Sequence, residues 1–172
     1  MKIIINENQY ELLKEMEDKP KVYNFPSLDV FGHKKPMDNW NLMQKFLAKK
    51  GNPDFTVDGD LGLGDTPIES LGNLTSVGGY LNLYKTPIKS LGNITTVGGN
   101  LYLSYTPIES LGNLTTVGGD LDLRGTEIES LGNLTTVGGD LDLAYTPVSE
   151  KYTKEEIRSQ VEVKGGIYLW KL

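Results

Sequence analysis

Apolar residues return along this chain with a period of twenty. Aligned on Val57, Val77, Val97, Val117 and Val137, each unit places glycine two residues on and leucine four and six residues on. The leucine pairs, from Leu61 and Leu63 to Leu141 and Leu143, alternate with mostly polar residues. That is the period-2 signature of a strand with one buried face, so each unit opens with a short strand. Thr-Pro-Ile or Thr-Glu-Ile follows, then Ser-Leu-Gly-Asn-Leu or its Ile94 variant, which brings apolar residues back at positions such as Ile68, Leu71 and Leu74. Proline at 67, 87, 107 and 147 and glycine at 72, 92, 112 and 132 argue against a helix there and leave a turn and a mostly extended return path. A unit this small cannot bury its face alone, so stacked copies must share one core. The copies are close: IESLGNLTTVGGDLDL reads the same from Ile108 to Leu123 as from Ile128 to Leu143.

The pattern stops at both ends, where an open stack needs covering. Residues 1–56 read as an α/β cap with a strand from Lys2 to Ile5, a helix near Glu7 to Asp18 and a loop to Pro36. A second helix follows from about Asn39 to Lys49, capped by Asp38, whose Trp40, Met43, Phe46 and Leu47 seal the first coil. Residues 57–148 are the repeat array. Residues 149–172 form the far cap: Thr153 and Glu156 make a capping box for a helix to about Gln160. Val163, Gly166, Ile167 and Leu169 then resume the repeat register 26 residues after Val137, as a terminal strand edged by Trp170, Lys164 and Lys171.

From Val57 to Val148 the pattern L-x-L-x-x-T-x-I-x-x-L resembles the leucine-rich-repeat consensus, and V-G-G-x-L-x-L resembles receptor L-domain repeats. Thr66, Thr86, Thr106, Thr126 and Thr146 stand where that family places its ladder asparagine, and the valine sits one residue early. The expectation is therefore not a helix-backed horseshoe. It is a mainly β protein with α caps, a flatter right-handed parallel β-solenoid of about six coils. Stacking of Thr on Thr, and of Asn73, Asn93, Asn113 and Asn133 on one another, would satisfy turn amides from coil to coil. The asparagines also form N-x-T sequons, for which internal hydrogen bonding is the better reading. The end segments KIIINENQYELL and KYTKEEIRSQVEVKGGIYL resemble tailed-phage proteins, which implies a viral setting.

At 172 residues, with 38% hydrophobic and 23% charged positions, the chain suits one soluble domain. A net charge of −6 removes the phosphate attraction behind generic binding to nucleic acid or anionic membranes. There is no cysteine, hence no disulfide, thiolate nucleophile or cysteine metal site. No stretch matches a secretory signal or a membrane span, so the cytoplasm of a host cell, or a virion, is the expected location.

Side chains between the strand leucines form outward columns that differ between units while the framework does not. One runs Asp60, Tyr80, Asn100, Asp120, Asp140, and the next Gly62, Asn82, Tyr102, Asp122, Asp142. Beyond them lie Tyr84, Ser104 and Arg124, then Lys85, Tyr105 and Tyr145. Tyrosine is enriched at protein interfaces, so these residues predict recognition of a protein partner carrying a basic element. A merely solvated face is the competing reading, because tyrosine favours strands and acids keep a sheet soluble. Asp120, Asp122, Asp140 and Asp142 are a weak candidate for a cation such as Ca²⁺, though a flat strand face supplies few converging ligands. No cofactor is implied. Short connections leave no cleft, and His33, the one histidine, lies in the cap, so no catalytic constellation is expected. The threonine pairs at 95–96, 115–116 and 135–136 resemble the arrays of ice-binding solenoids, yet adjacent residues on an extended path should point to opposite faces. The stronger alternative is self-assembly: stackable coils can join head to tail into a filament or virion component.

Overall fold

The computed structural model describes residues 22–25 and 36–170. The strand and helix expected within the first 18 residues, most of the loop to Pro36, His33 and Lys171 lie outside the described residues. The elements begin with β1 (Tyr23–Phe25), α1 (Pro36–Lys49), β2 (Phe55–Val57) and β3 (Leu61–Gly62). The coils continue through β4 (Leu74–Val77), β5 (Leu81–Asn82), β6 (Thr96–Val97), β7 (Leu101–Tyr102), β8 (Thr116–Val117), β9 (Leu121–Asp122), β10 (Thr136–Val137) and β11 (Leu141–Asp142). The chain closes with α2 (Pro147–Lys151), α3 (Lys154–Gln160), β12 (Glu162–Val163) and β13 (Ile167–Tyr168). No described helix is long and apolar enough to cross a membrane.

These strands form a parallel β-solenoid of two ladders. One sheet has seven strands in the order β1-β2-β4-β6-β8-β10-β12, and the other has six in the order β13-β11-β9-β7-β5-β3. Leu61, Leu81, Leu101, Leu121 and Leu141 stack directly, so four circuits take twenty residues each and the last, to Ile167, takes 26. Successive coils are tied by bonds such as Leu81 N–H to Asn100 O at 2.9 Å and Leu83 N–H to Tyr102 O at 2.8 Å. Between the sheets one core runs from Trp40 to Ile167, and each twenty-residue coil adds a valine, four leucines or isoleucines and the returning Ile of Thr-x-Ile. Full burial of each such side chain stabilises by roughly 1.5–3 kcal/mol.

The seven-stranded sheet was not part of the expected return path. Phe55 pairs with Leu74 but Thr56 pairs with Ser76, so Thr75 is an extra residue in a β-bulge. The bulge lets Leu74 and Val77, three apart, both face the core while Thr75 and Ser76 both lie outside it. The same holds for Thr95 and Thr96 between Ile94 and Val97, which corrects the expectation that one threonine of each pair faces inward. The outer threonine ladder also has a different position from the one expected. The hydroxyls of Thr95, Thr115 and Thr135 donate to the carbonyls of Thr75, Thr95 and Thr115 at 3.3, 3.0 and 2.9 Å, one coil back.

The buried threonines of Thr-x-Ile donate their hydroxyl hydrogens within their own coils rather than from coil to coil. Thr86, Thr106, Thr126 and Thr146 donate to the carbonyl three residues earlier in their own coil, at 2.7–2.8 Å, and close a turn. The asparagines likewise reach backbone: Asn133 Nδ2 donates to Gly112 O at 3.1 Å, and Asn73 Nδ2 to Asn52 O. Glycine after each valine has a steric reason. A Cβ on Gly98, Gly118 or Gly138 would lie 2.1 Å from the carbonyl oxygen of the equivalent glycine one coil back.

Both ends of the seven-stranded sheet are covered. Trp40, Met43 and Leu47 of α1 are buried over the first coil, but Phe46 stays 41% exposed, edge-on to Tyr23 and Phe25. It therefore braces β1 rather than sealing the core. Because α1 starts at Pro36, Asp38 falls inside its first turn and not at its cap. At the other end the capping box forms as expected, with Glu156 N–H to Thr153 Oγ1 at 3.2 Å and Thr153 N–H to Glu156 Oε2 at 2.8 Å. The helix it starts carries Arg158, whose guanidinium donates to Val163 O at 2.7 Å and Gly165 O at 2.9 Å along the terminal edge.

Candidate functional site

The predicted partner-binding residues lie together on and beside the six-stranded sheet, but many of them also hold coils together. Asp and Asn in the first column accept the backbone N–H of the next coil. Asp60 Oδ1 takes Tyr80 N–H at 2.9 Å, Asn100 Oδ1 takes Asp120 N–H at 2.8 Å, and Asp120 Oδ1 takes Asp140 N–H at 2.8 Å. Asp140 Oδ1 takes Gly166 N–H at 2.7 Å, while Tyr168 OH donates to its other oxygen at 3.3 Å. That carboxylate holds the Tyr168 phenol above its ordinary pKa, through its charge first and the hydrogen bond second. One oxygen of each of these carboxylates thus has structural work.

The second column turns its own coil. Asn82, Asp122 and Asp142 accept N–H from Tyr84, Arg124 and Ala144 two residues on, at 2.9, 3.1 and 3.0 Å. Arg124 returns a fork to Asp122, with Nε to Oδ1 at 2.9 Å and Nη2 to Oδ2 at 2.6 Å, and reaches Asp142 Oδ2 at 3.4 Å. The hydrogen bond to Asp122 raises the guanidinium pKa further. Asp142 behaves in the opposite sense from a stabilised carboxylate. Burial pushes its pKa up, the Ala144 N–H pulls it down, Asp122 pushes it up and Arg124 pulls it down.

Tyr102 and Arg124 stand between two shallow hollows. One of about 270 Å³ is lined by Asn82, Tyr84, Tyr102, Ser104, Asp122 and Arg124. The other, about 220 Å³, includes Tyr102, Asp120, Asp122, Asp140, Asp142 and Tyr168. Tyr102 OH accepts from Asn100 Nδ2 at 2.7 Å, which fixes its ring across the column. Tyr80 lies in the same column as Asp120, one coil before Asn100, and is half-buried. Among the described residues no group of three or more His, Cys, Asp or Glu side chains is arranged to hold a metal ion. The four aspartates instead carry amide bonds and the Arg124 bridge.

At the corner beyond the strands every coil puts one residue at positive φ: Asp65, Lys85, Tyr105, Gly125 and Tyr145, between 53° and 63°. For a residue with a large side chain this conformation costs roughly 1–2 kcal/mol. Gly125 shows that glycine fits the corner, so Tyr105 and Tyr145 are held at a cost the fold does not require. The two tyrosines are 54% and 48% exposed. Tyr105 meets Tyr84 edge-on at 6.0 Å, and Lys85 Nζ sits 4.9 Å from the Tyr84 ring centre. The hydrogen bond that the Lys85 ammonium donates to the Tyr84 oxygen raises the Lys85 pKa.

The sequence reading missed Tyr168 on this face, although it sits one residue after the recognised inward strand position Ile167. It also missed Glu127 and Glu150 beside Tyr145, because their placement depends on how the corner turns. No protein-family model, curated sequence or solved structure matches this chain.

Proposed function

We propose that the protein is a non-enzymatic interaction module, leucine-rich-repeat-like in its L-x-L pattern, that binds a protein partner through the outer face of the six-stranded sheet. The observation that carries this is a contrast between inside and outside. In one column the inward residues of β3, β5, β7, β9 and β11 are Leu61, Leu81, Leu101, Leu121 and Leu141, while the residue after each runs through Gly62, Asn82, Tyr102, Asp122 and Asp142. Outward positions that change over an unchanged core suit a surface adapted to something outside the chain. Half-exposed tyrosines beside carboxylates match a partner whose apolar surface is bordered by lysine or arginine.

The test replaces Tyr102 and Asp122 together by alanine. The pair should lower the melting temperature by only a few degrees, because neither side chain belongs to the core and the loss is confined to the Tyr102 hydroxyl bond, the Asp122 turn and its Arg124 fork. Quantitative comparison of proteins cross-linked to the wild-type and double-variant faces should then show loss of one defined partner. An identical partner profile for both proteins would reject the outer face as the binding surface.

Self-association is a second reading, favoured by one observation. The six-stranded sheet ends on β13, next to which Trp170 is 65% exposed. A terminal strand in that state is a template for pairing with another chain.

A further inference from the structure

Ser104 lines the hollow of about 270 Å³ beside Tyr102 and is its most deeply set polar residue, only 2% exposed. It stands in register between Tyr84 of the coil before and Arg124 of the coil after, a small residue between two large ones. Among the described residues neither its hydroxyl nor its backbone N–H has a hydrogen-bond partner. Buried donors in that state are uncommon and costly. The neighbouring coils show what the N–H lacks. There the residue two positions earlier supplies a side-chain oxygen: Asn82 Oδ1 takes Tyr84 N–H at 2.9 Å, Asp122 Oδ1 takes Arg124 N–H at 3.1 Å and Asp142 Oδ1 takes Ala144 N–H at 3.0 Å. Tyr102 holds that place before Ser104, and its hydroxyl is turned to Asn100 Nδ2 at 2.7 Å. Gly62 brings no oxygen either, but Gly64 is partly exposed and water serves it.

We propose that this slot receives one side-chain carboxamide, from an asparagine or glutamine of the bound protein partner, whose oxygen accepts from the Ser104 hydroxyl and N–H. The inference rests on the strand face being the binding surface, and it names a group which that surface recognises. Ser104 is buried while Tyr84 and Arg124 on either side are not, so the oxygen has to arrive on a side-chain arm. A carboxamide oxygen has two lone pairs for the two donors, and one coil back Asn82 puts the same group on the equivalent amide. Its NH2 meets an acceptor as well, because Asp122 lines the same hollow. Other side chains fit less well. A lysine or arginine head carries no acceptor and leaves both donors unmet. A carboxylate adds a third negative charge around one guanidinium, which Asp122 already holds at 2.9 and 2.6 Å and Asp142 approaches at 3.4 Å. An aliphatic side chain seals the donors from water without pairing them, which costs their full desolvation.

The test titrates isotope-labelled full-length protein with N-acetyl-asparagine N-methylamide, and in parallel with the aspartate and leucine analogues, while following backbone amide shifts. The expected result is a saturable shift at Ser104, Tyr84 and Arg124, with the asparagine probe binding about tenfold tighter than either analogue. Ser104→Ala removes the hydroxyl, keeps the amide and should weaken the asparagine probe several-fold. Tyr102→Asn should abolish the Ser104 response, because an oxygen of the chain itself then takes that amide, as Asn82 Oδ1 takes Tyr84 N–H. Amide shifts elsewhere in both variants should match wild type, which shows that the fold is kept. No saturable shift at Ser104, equal binding of either analogue, or an unchanged response in Tyr102→Asn would each overturn the proposal. The probe needs no partner, so those results leave the strand-face reading standing. That reading is decided by its own cross-linking comparison, and the two failures are distinguishable.

Discussion

Replacing Gly118 by alanine tests how tightly the coils are stacked. A Cβ there would lie 2.1 Å from Gly98 O and 2.9 Å from Gly98 C. An ordinary carbon–oxygen contact needs about 3.3 Å, so the coils must part locally by roughly 1.2 Å. They cannot do so freely, because Gly118 N–H is bonded to Val97 O at 2.8 Å and Gly119 N–H to Gly99 O at 3.0 Å. Losing or stretching both bonds costs about 1 kcal/mol each. Displacing Val117 and Leu121 from a filled core adds about 1–3 kcal/mol. The expected loss is therefore about 3–5 kcal/mol. Gly132→Ala is the control, since Gly132 has φ +57° but nothing within 4 Å of a Cβ, leaving only backbone strain of roughly 1–2 kcal/mol. Urea unfolding of both variants, compared at equal m-value, reads the difference directly. If Gly118→Ala were no more destabilising than Gly132→Ala, the close backbone approach between coils would be refuted.

Two other substitutions follow from the electrostatics and the edge. Burial raises the Asp142 pKa, so the folded state holds that proton more tightly than the unfolded chain, and the charged form costs stability above the carboxylate range. Asn82 makes the same turn without a charge at 2.9 Å. Asp142→Asn should thus raise stability at neutral pH by up to about 1 kcal/mol, a gain that vanishes in melts at about pH 3. No gain at neutral pH would contradict the sign. Arg158→Ala removes both bonds from the guanidinium to the terminal edge, at 2.7 and 2.9 Å, and should cost about 1–2 kcal/mol. It should also make light scattering rise with concentration, and a variant as stable and as monodisperse as wild type would show that the edge needs no cover.

The period and the core were readable because leucine and valine repeat at fixed offsets and every one of them faces inward. The capping box at Thr153 and the 26-residue return to Val163 were equally plain, since each depends on local sequence. The seven-stranded sheet was not, because Thr96–Val97 and its equivalents are two-residue strands beside a bulge and leave no alternating pattern. Thr86 shows the same limit at the level of a single bond. Its place in the repeat marks a structural role, but whether the hydroxyl reaches the next coil or Leu83 O depends on the positive-φ turn at Lys85, and a lysine gives no signal of that. On the candidate face the columns were legible from the leucine spacing. That Asp120 and Asp140 also bind the next coil's amide follows only from the packed rungs.

The central claim is that this chain is a closed coil stack offering its variable face to a different protein. Size-exclusion chromatography with light scattering, over a wide range of concentration, tests it most directly. The account predicts a constant mass near 19.0 kDa. A mass that grows with concentration, toward dimers through β13 or longer polymers, would contradict it and make self-assembly the function.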